Sequence, residues 1–142
     1  MEVSHVRRRL KATIDATRER SAKRRDVNAA AHRAYETFLS EIAVPLARQL
    51  ANALKVEGYA FTVSTPGNGV RLASERARED FIELDLDTSG DRPEVMARVS
   101  RQRGSRTVDA ELPVKRGALP EQISEEDFLD FLLSALQPWL ER

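Results

Sequence analysis

Residues 81–87 read Phe-Ile-Glu-Leu-Asp-Leu-Asp, and from Ile82 onward apolar side chains alternate with acidic ones. This period of two is typical of a β-strand that buries one face and exposes the other to water. After a turn over 88–93, residues 95–100 (Val-Met-Ala-Arg-Val-Ser) alternate in the same way. A connection this short predicts that the two strands pair antiparallel.

The apolar sides of these two strands also predict their register. The prediction pairs three residues of each strand: Leu84 with Ala97, Ile82 with Val99, and Glu83 with Arg98. A two-residue loop at Arg103-Gly104 then puts Arg98 opposite Asp109 of a further strand. We therefore expect an acid–base–acid row across the wet face, in which each pair contributes roughly 0.2–1 kcal/mol of stability. This role is structural.

The same alternation marks further strands on both sides of this pair. Tyr59, Phe61 and Val63 alternate before a turn at 65–69, and Val70 and Leu72 begin a short strand after it. Downstream, Val108, Ala110 and Leu112 alternate as well. Residues 59–112 therefore predict a four- to five-stranded antiparallel β-meander with one apolar face and one wet face.

The chain before the meander is helical from about Val3 to Glu57, because Ala, Arg, Glu and Leu dominate and no glycine occurs before Gly58. At 100° per residue, four apolar residues near its start fall within one stripe: Val3, Val6, Leu10 and Ile14. The polar segment 15–26 predicts either a break, with Asp26 capping a second helix, or a length of helix exposed to solvent. Pro45 predicts a kink or a new helix from Val44 onward.

A helix also closes the chain. Ser124-Glu125-Glu126-Asp127 resembles a capping box, and the residues after it are apolar over more than half of the helix circumference. We expect this helix to pack on the apolar sheet face and to contact the arm or another subunit as well, and Pro138 to loosen its last turn. The predicted fold is α+β, with a helical arm over 1–57 (a possible break near 20–28) and a meander plus helix over 58–142 in a single domain.

Composition limits the class of protein. The 142 residues suit one domain, 41% of them are apolar, and Lys plus Arg equals Asp plus Glu at 23 each. No run of about 18 apolar residues occurs, and no apolar stretch follows the arginines near Met1, so we expect neither a transmembrane helix nor a secretory signal. The absence of cysteine excludes disulfides, thiol nucleophiles and cysteine-ligated metals, and favours the cytoplasm.

The balanced charge conceals two oppositely charged ends. Residues 1–26 hold nine Lys or Arg against four acids, a net charge of +5, whereas residues 121–142 hold six acids against one base, a net charge of −5. These ends can attract each other within one chain or between copies, or each can bind an outside partner. The basic residues that would bind a phosphate backbone are Arg7, Arg8, Arg9, Lys11, Arg18 and Arg25.

Motifs for catalysis or for cofactor binding are weak. His32 and Glu36 share a helix face, but the sequence offers no third ligand near them. Residues 85–90 match the first six positions of a calcium loop, yet Met96 stands where the motif needs glutamate. Gly67-Asn68-Gly69 lacks the Lys and Ser/Thr of a phosphate loop and is typical of a hairpin turn. We therefore predict no catalytic residue, no metal and no cofactor.

The favoured hypothesis is a non-enzymatic adaptor or accessory subunit that mediates protein–protein assembly, as a homo-oligomer. Its predicted contact residues lie on the arm and on the last helix: Val3, Val6, Leu10, Ile14, Phe131, Leu133 and Leu140. The alternative is a nucleic-acid-binding accessory protein that uses the basic arm on the phosphate backbone. The arm has no aromatic residue before Tyr35 for base stacking. Its apolar stripe lacks Trp and Phe, so we expect no membrane binding.

Overall fold

A computed structural model describes residues 1–141 and has the predicted α+β architecture. A long helix, α1, is followed by a π-helical turn (Leu39–Ala43) and a second helix, α2. Five strands follow, then a short 3₁₀ turn (Pro120–Gln122) and a final helix, α3. The bounds are α1 Val3–Phe38, α2 Val44–Val56, β1 Phe61–Ser64, β2 Arg71–Ser74, β3 Phe81–Asp87, β4 Glu94–Arg103, β5 Arg106–Pro113 and α3 Glu125–Leu140.

The five strands form one antiparallel sheet in the order β1-β2-β3-β4-β5, as the meander predicted. The register between β3 and β4 is confirmed, because Leu84 lies opposite Ala97 and Glu83 opposite Arg98. The predicted register between β4 and β5 is wrong. The hairpin loop is Gly104-Ser105, so that Arg98 faces Glu111.

The error lies in the position of the glycine within the turn. Gly104 has a φ of +64° and is the first of the two loop residues, which is the glycine position of a type II′ turn. Moving the loop by one residue changes the partner of each β4 residue by two positions on β5. Because side chains alternate between faces with a period of two, each one keeps its predicted face. Arg98 therefore still reaches Asp109 diagonally, with Nη2 3.4 Å from Oδ2, and Glu83 pairs instead with Arg71 at 3.0 Å.

The arm is one helix, and no break occurs between residues 20 and 28. Asp26 lies inside α1 and starts no second helix, so the polar segment is a length of helix exposed to solvent. The irregularity precedes α2, where the π-helical turn ends at Ala43 and Pro45 occupies the first turn of α2. Proline cannot donate to the carbonyl four residues earlier and clashes with it, and the wider π-helical turn accommodates both effects.

The core lies between the inner face of the sheet and the helices. Tyr35 and Phe38 at the end of α1 are buried, and Phe38 meets Phe128 of α3 edge to face at 5.6 Å between ring centroids. Trp139 of α3 meets Phe61 of β1 in the same geometry at 5.9 Å. Helix α3 runs to Leu140 although Pro138 lies in its last turn. The helices are thus fixed over one side of the sheet.

Candidate interaction surfaces

Most of α1 extends away from the core. Every residue from Val3 to Ala30 is exposed except Ser21 and Asn28, which are half-buried, and Ala31 is the first buried residue. The four apolar residues of the predicted stripe are 38–73% exposed. At 1.5 Å per residue, about 42 Å of helix lies outside the core. We call residues 3–30 the arm, and Val3, Val6, Leu10 and Ile14 the arm stripe.

The arm stripe points toward the same side of α1 as the core. At 100° per residue, its mean direction differs by about 60° from that of the buried residues Ala31, Tyr35 and Phe38. These three residues pack into the core of the domain that the sheet and the helices form. The arm presents a similar apolar face beyond the edge of that domain, where no described residue covers it.

The three residues predicted as contacts on α3 differ in exposure. Phe131 and Leu140 are half-buried and pack against the core. Leu133 is 44% exposed and is the most accessible apolar residue of this helix. The candidates on α3 therefore differ from the arm stripe. Phe131 and Leu140 already stabilise the fold, and Leu133 alone of the three has an exposed side chain.

All six basic candidates lie on the exposed arm. Four of them form a line about 27 Å long on one side of α1, namely Arg7, Lys11, Arg18 and Arg25. The ion pairs among residues 1–141 join Arg71 to Glu83, Arg98 to Asp109 and Lys115 to Asp127, so none of them involves the arm. Within this part of the chain, no ion pair therefore joins the basic arm to the acidic α3.

A second apolar surface, not predicted from the sequence, lies on β5. Val108, Ala110 and Leu112 share the inner face of the sheet, yet Val108 is 39% and Leu112 is 44% exposed. On β3 and β4, by contrast, Leu84 and Ala97 of the same face are buried. The helices therefore cover the sheet only as far as β4. The alternation predicts the face of these residues correctly, but it carries no information about where the helices end.

The β4–β5 hairpin carries a basic tip on this inner face. Arg103 lies directly opposite Arg106, and Arg101 follows two residues away on the same face. Like charges placed opposite each other across a strand pair destabilise the pair. No carboxylate of the described chain, residues 1–141, forms an ion pair with these three arginines. These arginines belong to the segment Arg101-Gln102-Arg103-Gly104-Ser105-Arg106. From the sequence, the glycine in this segment predicts a turn and nothing more.

The outer face of the sheet contains an acidic concavity of about 660 Å³, lined in part by Glu83, Asp85, Asp87 and Glu111. Asp87 Oδ1 accepts hydrogen bonds from the Ser89 hydroxyl at 2.6 Å and from the Ser89 amide at 2.9 Å, and these bonds lower the pKa of Asp87. Up to residue 141, no three potential ligands come together to hold a metal ion. Residues 85–87 of the calcium-like segment end β3, and the hydrogen bonds between Asp87 and Ser89 hold the bend that follows.

Comparisons with protein families, with characterised proteins and with solved structures find no match for this chain. Within residues 1–141, no helix combines the length and the apolar character needed to cross a membrane.

Proposed function

We propose that this protein is a small non-enzymatic adaptor or accessory subunit of the cytoplasm that assembles with copies of itself through its helical arm. One observation carries the proposal: the arm stripe is exposed on a continuous helix that leaves its own domain. An average globular helix has about 11–12 residues and obtains its stability from packing. A helix of 36 residues with an exposed apolar stripe therefore suits contact with a second molecule.

Within residues 1–141, the chain's own domain does not supply the missing contact. Helix α1 has no break before Phe38, so the arm stripe cannot turn back onto the domain without unfolding part of the helix. Each Val, Leu or Ile side chain that becomes fully buried contributes roughly 1.5–3 kcal/mol. A second copy is the simplest molecule that brings a matching set of apolar residues, and two-fold dimers are the commonest symmetric assemblies.

The first test is the mass of the chain in solution by light scattering, for the wild type and for Leu10→Glu/Ile14→Glu. We expect the wild type to have the mass of an oligomer and the variant that of one chain, because two charges enter the arm stripe. Ala12→Glu/Ala16→Glu is the matched control, since it adds the same charges at the same spacing on the opposite side of α1. This control should retain the wild-type mass.

Circular dichroism of both variants distinguishes the loss of an interface from the loss of a helix. A wild-type chain that stays monomeric at about 100 μM, well above the Kd of a stable dimer, would contradict the proposal. An oligomer whose mass is insensitive to Leu10→Glu/Ile14→Glu would contradict the role of the arm.

A second candidate function is nucleic-acid binding through the phosphate backbone. It is favoured by two basic projections that have no acidic partners among residues 1–141. The first, which we call the arm line, consists of Arg7, Lys11, Arg18 and Arg25, and the second is the hairpin tip with Arg101, Arg103 and Arg106. The guanidinium group matches phosphate oxygens with two parallel hydrogen bonds, which suits this role. Neither the arm line nor the hairpin tip contains an aromatic residue, so such binding would recognise the backbone more than the bases.

The test of this candidate is the salt dependence of binding to a duplex DNA of random sequence. Replacing Arg7, Lys11, Arg18 and Arg25 by Gln should lower the slope of log K against log salt by about 0.9 for each phosphate that the variant no longer neutralises. The matched control replaces three other exposed arginines and one lysine by Gln: Arg48, Lys55, Arg76 and Arg78. Equal slopes for both variants would exclude a specific role of the arm line.

A further inference from the structure

We propose that, in the assembled protein, the arm stripe of one copy lies across the uncovered inner face of β5 in a second copy. This inference rests on the proposed self-assembly and names the surface that accepts the arm. Each chain leaves two apolar surfaces that no residue from 1 to 141 covers: a helix stripe without a sheet, and a sheet edge without a helix. In a protein of two layers, the apolar stripe of a helix packs on the apolar face of a sheet, so each of these surfaces can cover the other.

The two surfaces match in length. The arm stripe spans eleven steps of 1.5 Å from Val3 to Ile14, about 17 Å. The exposed stretch from Val108 to Leu112 spans four steps of about 3.3 Å, or about 13 Å. Val99 of β4 is half-buried beside this stretch and widens the apolar surface toward the core. A single helix stripe is therefore long enough for the uncovered part of the sheet.

The arm is also long enough to reach another domain. Ala31, the first buried residue, lies seventeen steps along the helix from Ile14, which corresponds to about 26 Å. A domain of about 100 residues has a radius of gyration of about 13 Å. The polar middle of the arm thus spans the distance between two neighbouring domains. It remains exposed to solvent there, which agrees with its charged composition over 15–26.

Charge limits where the arm lies on β5. Arg7 and Lys11 flank the arm stripe on one side of the helix. The three arginines of the hairpin tip lie on the same inner face as Val108 and form no ion pair with any described residue. Like charges placed close together repel, so the basic flank of the arm avoids the hairpin tip. The contact therefore centres on the Leu112 end of the strand, away from these arginines.

A two-fold dimer makes this contact twice, because each arm lies on the domain of the other copy. The chain has no cysteine, so introduced thiols report the contact directly. We would oxidise Leu10→Cys/Leu112→Cys and follow covalent dimer on a denaturing gel. Disulfides require Cα atoms about 4.4–6.8 Å apart, which demands close approach of the two positions. The control is Leu10→Cys/Thr107→Cys, since Thr107 lies on the same strand but on the outer face.

We expect most of the Leu10→Cys/Leu112→Cys chain to become a covalent dimer and the Thr107 control to remain a single chain on the gel. If light scattering shows an oligomer but Leu10→Cys/Leu112→Cys does not cross-link, the inference is wrong while the proposed function stands. Cross-linking of Leu10→Cys alone would place two arms side by side and would overturn the inference in the same way. A wild-type chain that is monomeric would overturn both.

Discussion

The hydroxyl of Tyr35 is the clearest unfavourable feature of the core. Tyr35 is buried, and its hydroxyl has no hydrogen-bond partner among residues 1–141. A buried polar group without a partner costs about 1–3 kcal/mol. We therefore expect Tyr35→Phe to raise the free energy of unfolding by about 1 kcal/mol in urea denaturation. Tyr59→Phe, at a half-buried position, is the control for loss of a tyrosine hydroxyl. A destabilised Tyr35→Phe would show that the hydroxyl has a partner.

The same residue predicts an alkaline limit to stability. Burial raises the pKa of Tyr35, and the negative charges of Asp85 and Glu83 raise it further. The folded protein therefore holds the phenolic proton more tightly than the unfolded chain does, whose tyrosine pKa is about 10. This contribution is fully present below about pH 10 and is lost as the pH rises above it. Denaturation between pH 9 and 11 should show a steeper decline for wild type than for Tyr35→Phe.

Gly69 lies where the chain enters β2 and has no room for a side chain. Its amide donates to the Pro66 carbonyl at 3.1 Å, and a Cβ built on it would overlap the backbone carbonyl oxygen of Leu84. Since backbone of a central strand cannot move aside cheaply, we expect Gly69→Ala to cost about 1–3 kcal/mol. Gly90→Ala is the control, because its nearest neighbour would be 4.0 Å away. Equal melting temperatures for the two variants would refute the overlap.

At the scale of elements, α3 begins with a reciprocal cap. Ser124 Oγ accepts from the Asp127 amide at 3.0 Å, and the Asp127 carboxylate accepts from the Ser124 amide at 3.0 Å and from Lys115 Nζ at 2.9 Å. Replacing a capping serine by alanine costs typically about 1 kcal/mol, and we expect this loss for Ser124→Ala in thermal denaturation. Ser134→Ala, at an exposed position inside α3, should cost nothing.

The cap also makes the stability of the fold depend on pH in the acidic range. The hydrogen bond from the Ser124 amide, followed by the bond from Lys115, lowers the pKa of Asp127. A lowered pKa contributes stability above the ordinary carboxyl pKa of about 3.9, and the contribution disappears as the pH falls below it. The difference in stability between wild type and Asp127→Asn should therefore narrow as the pH falls from 5 toward 3. A difference that stays constant would mean that the charge of Asp127 has no part in the cap.

Sequence patterns predict these elements where one local rule dominates. The capping residues are identifiable because Ser and Asp stand three apart before an apolar run, and the β3–β4 register because the alternation is strict. The error at Arg103-Gly104 arises because either of two neighbouring dipeptides can form the loop, and only the backbone angle of Gly104 separates them. The π-helical turn before Pro45 could not be predicted either, because the sequence alone does not show how the helix backbone adjusts to a proline.

The α+β class follows from the order of helical and strand patterns along the chain. Which apolar surfaces are buried does not follow from that order. The exposed arm is one of two open alternatives, because the polar segment 15–26 suits a break as well as a solvated helix. The exposure of Val108 and Leu112 depends on how far α2 and α3 extend across the sheet, which is a tertiary property. The surfaces on which the proposals rest are therefore those that local patterns describe least well.

Self-assembly through the arm makes thermal stability depend on protein concentration. A partner that binds only the folded chain adds stability that grows with the logarithm of its concentration, about 1.4 kcal/mol for each tenfold increase. In a dimer this gain is shared by two chains of 142 residues, so we expect the Tm of the wild type to rise by about 2–3 °C per tenfold increase. The Tm of Leu10→Glu/Ile14→Glu should stay constant, and that of Ala12→Glu/Ala16→Glu should follow the wild type. Scanning calorimetry between about 5 and 500 μM tests this, and a wild-type Tm independent of concentration would show that the arm stripe binds no second copy in that range.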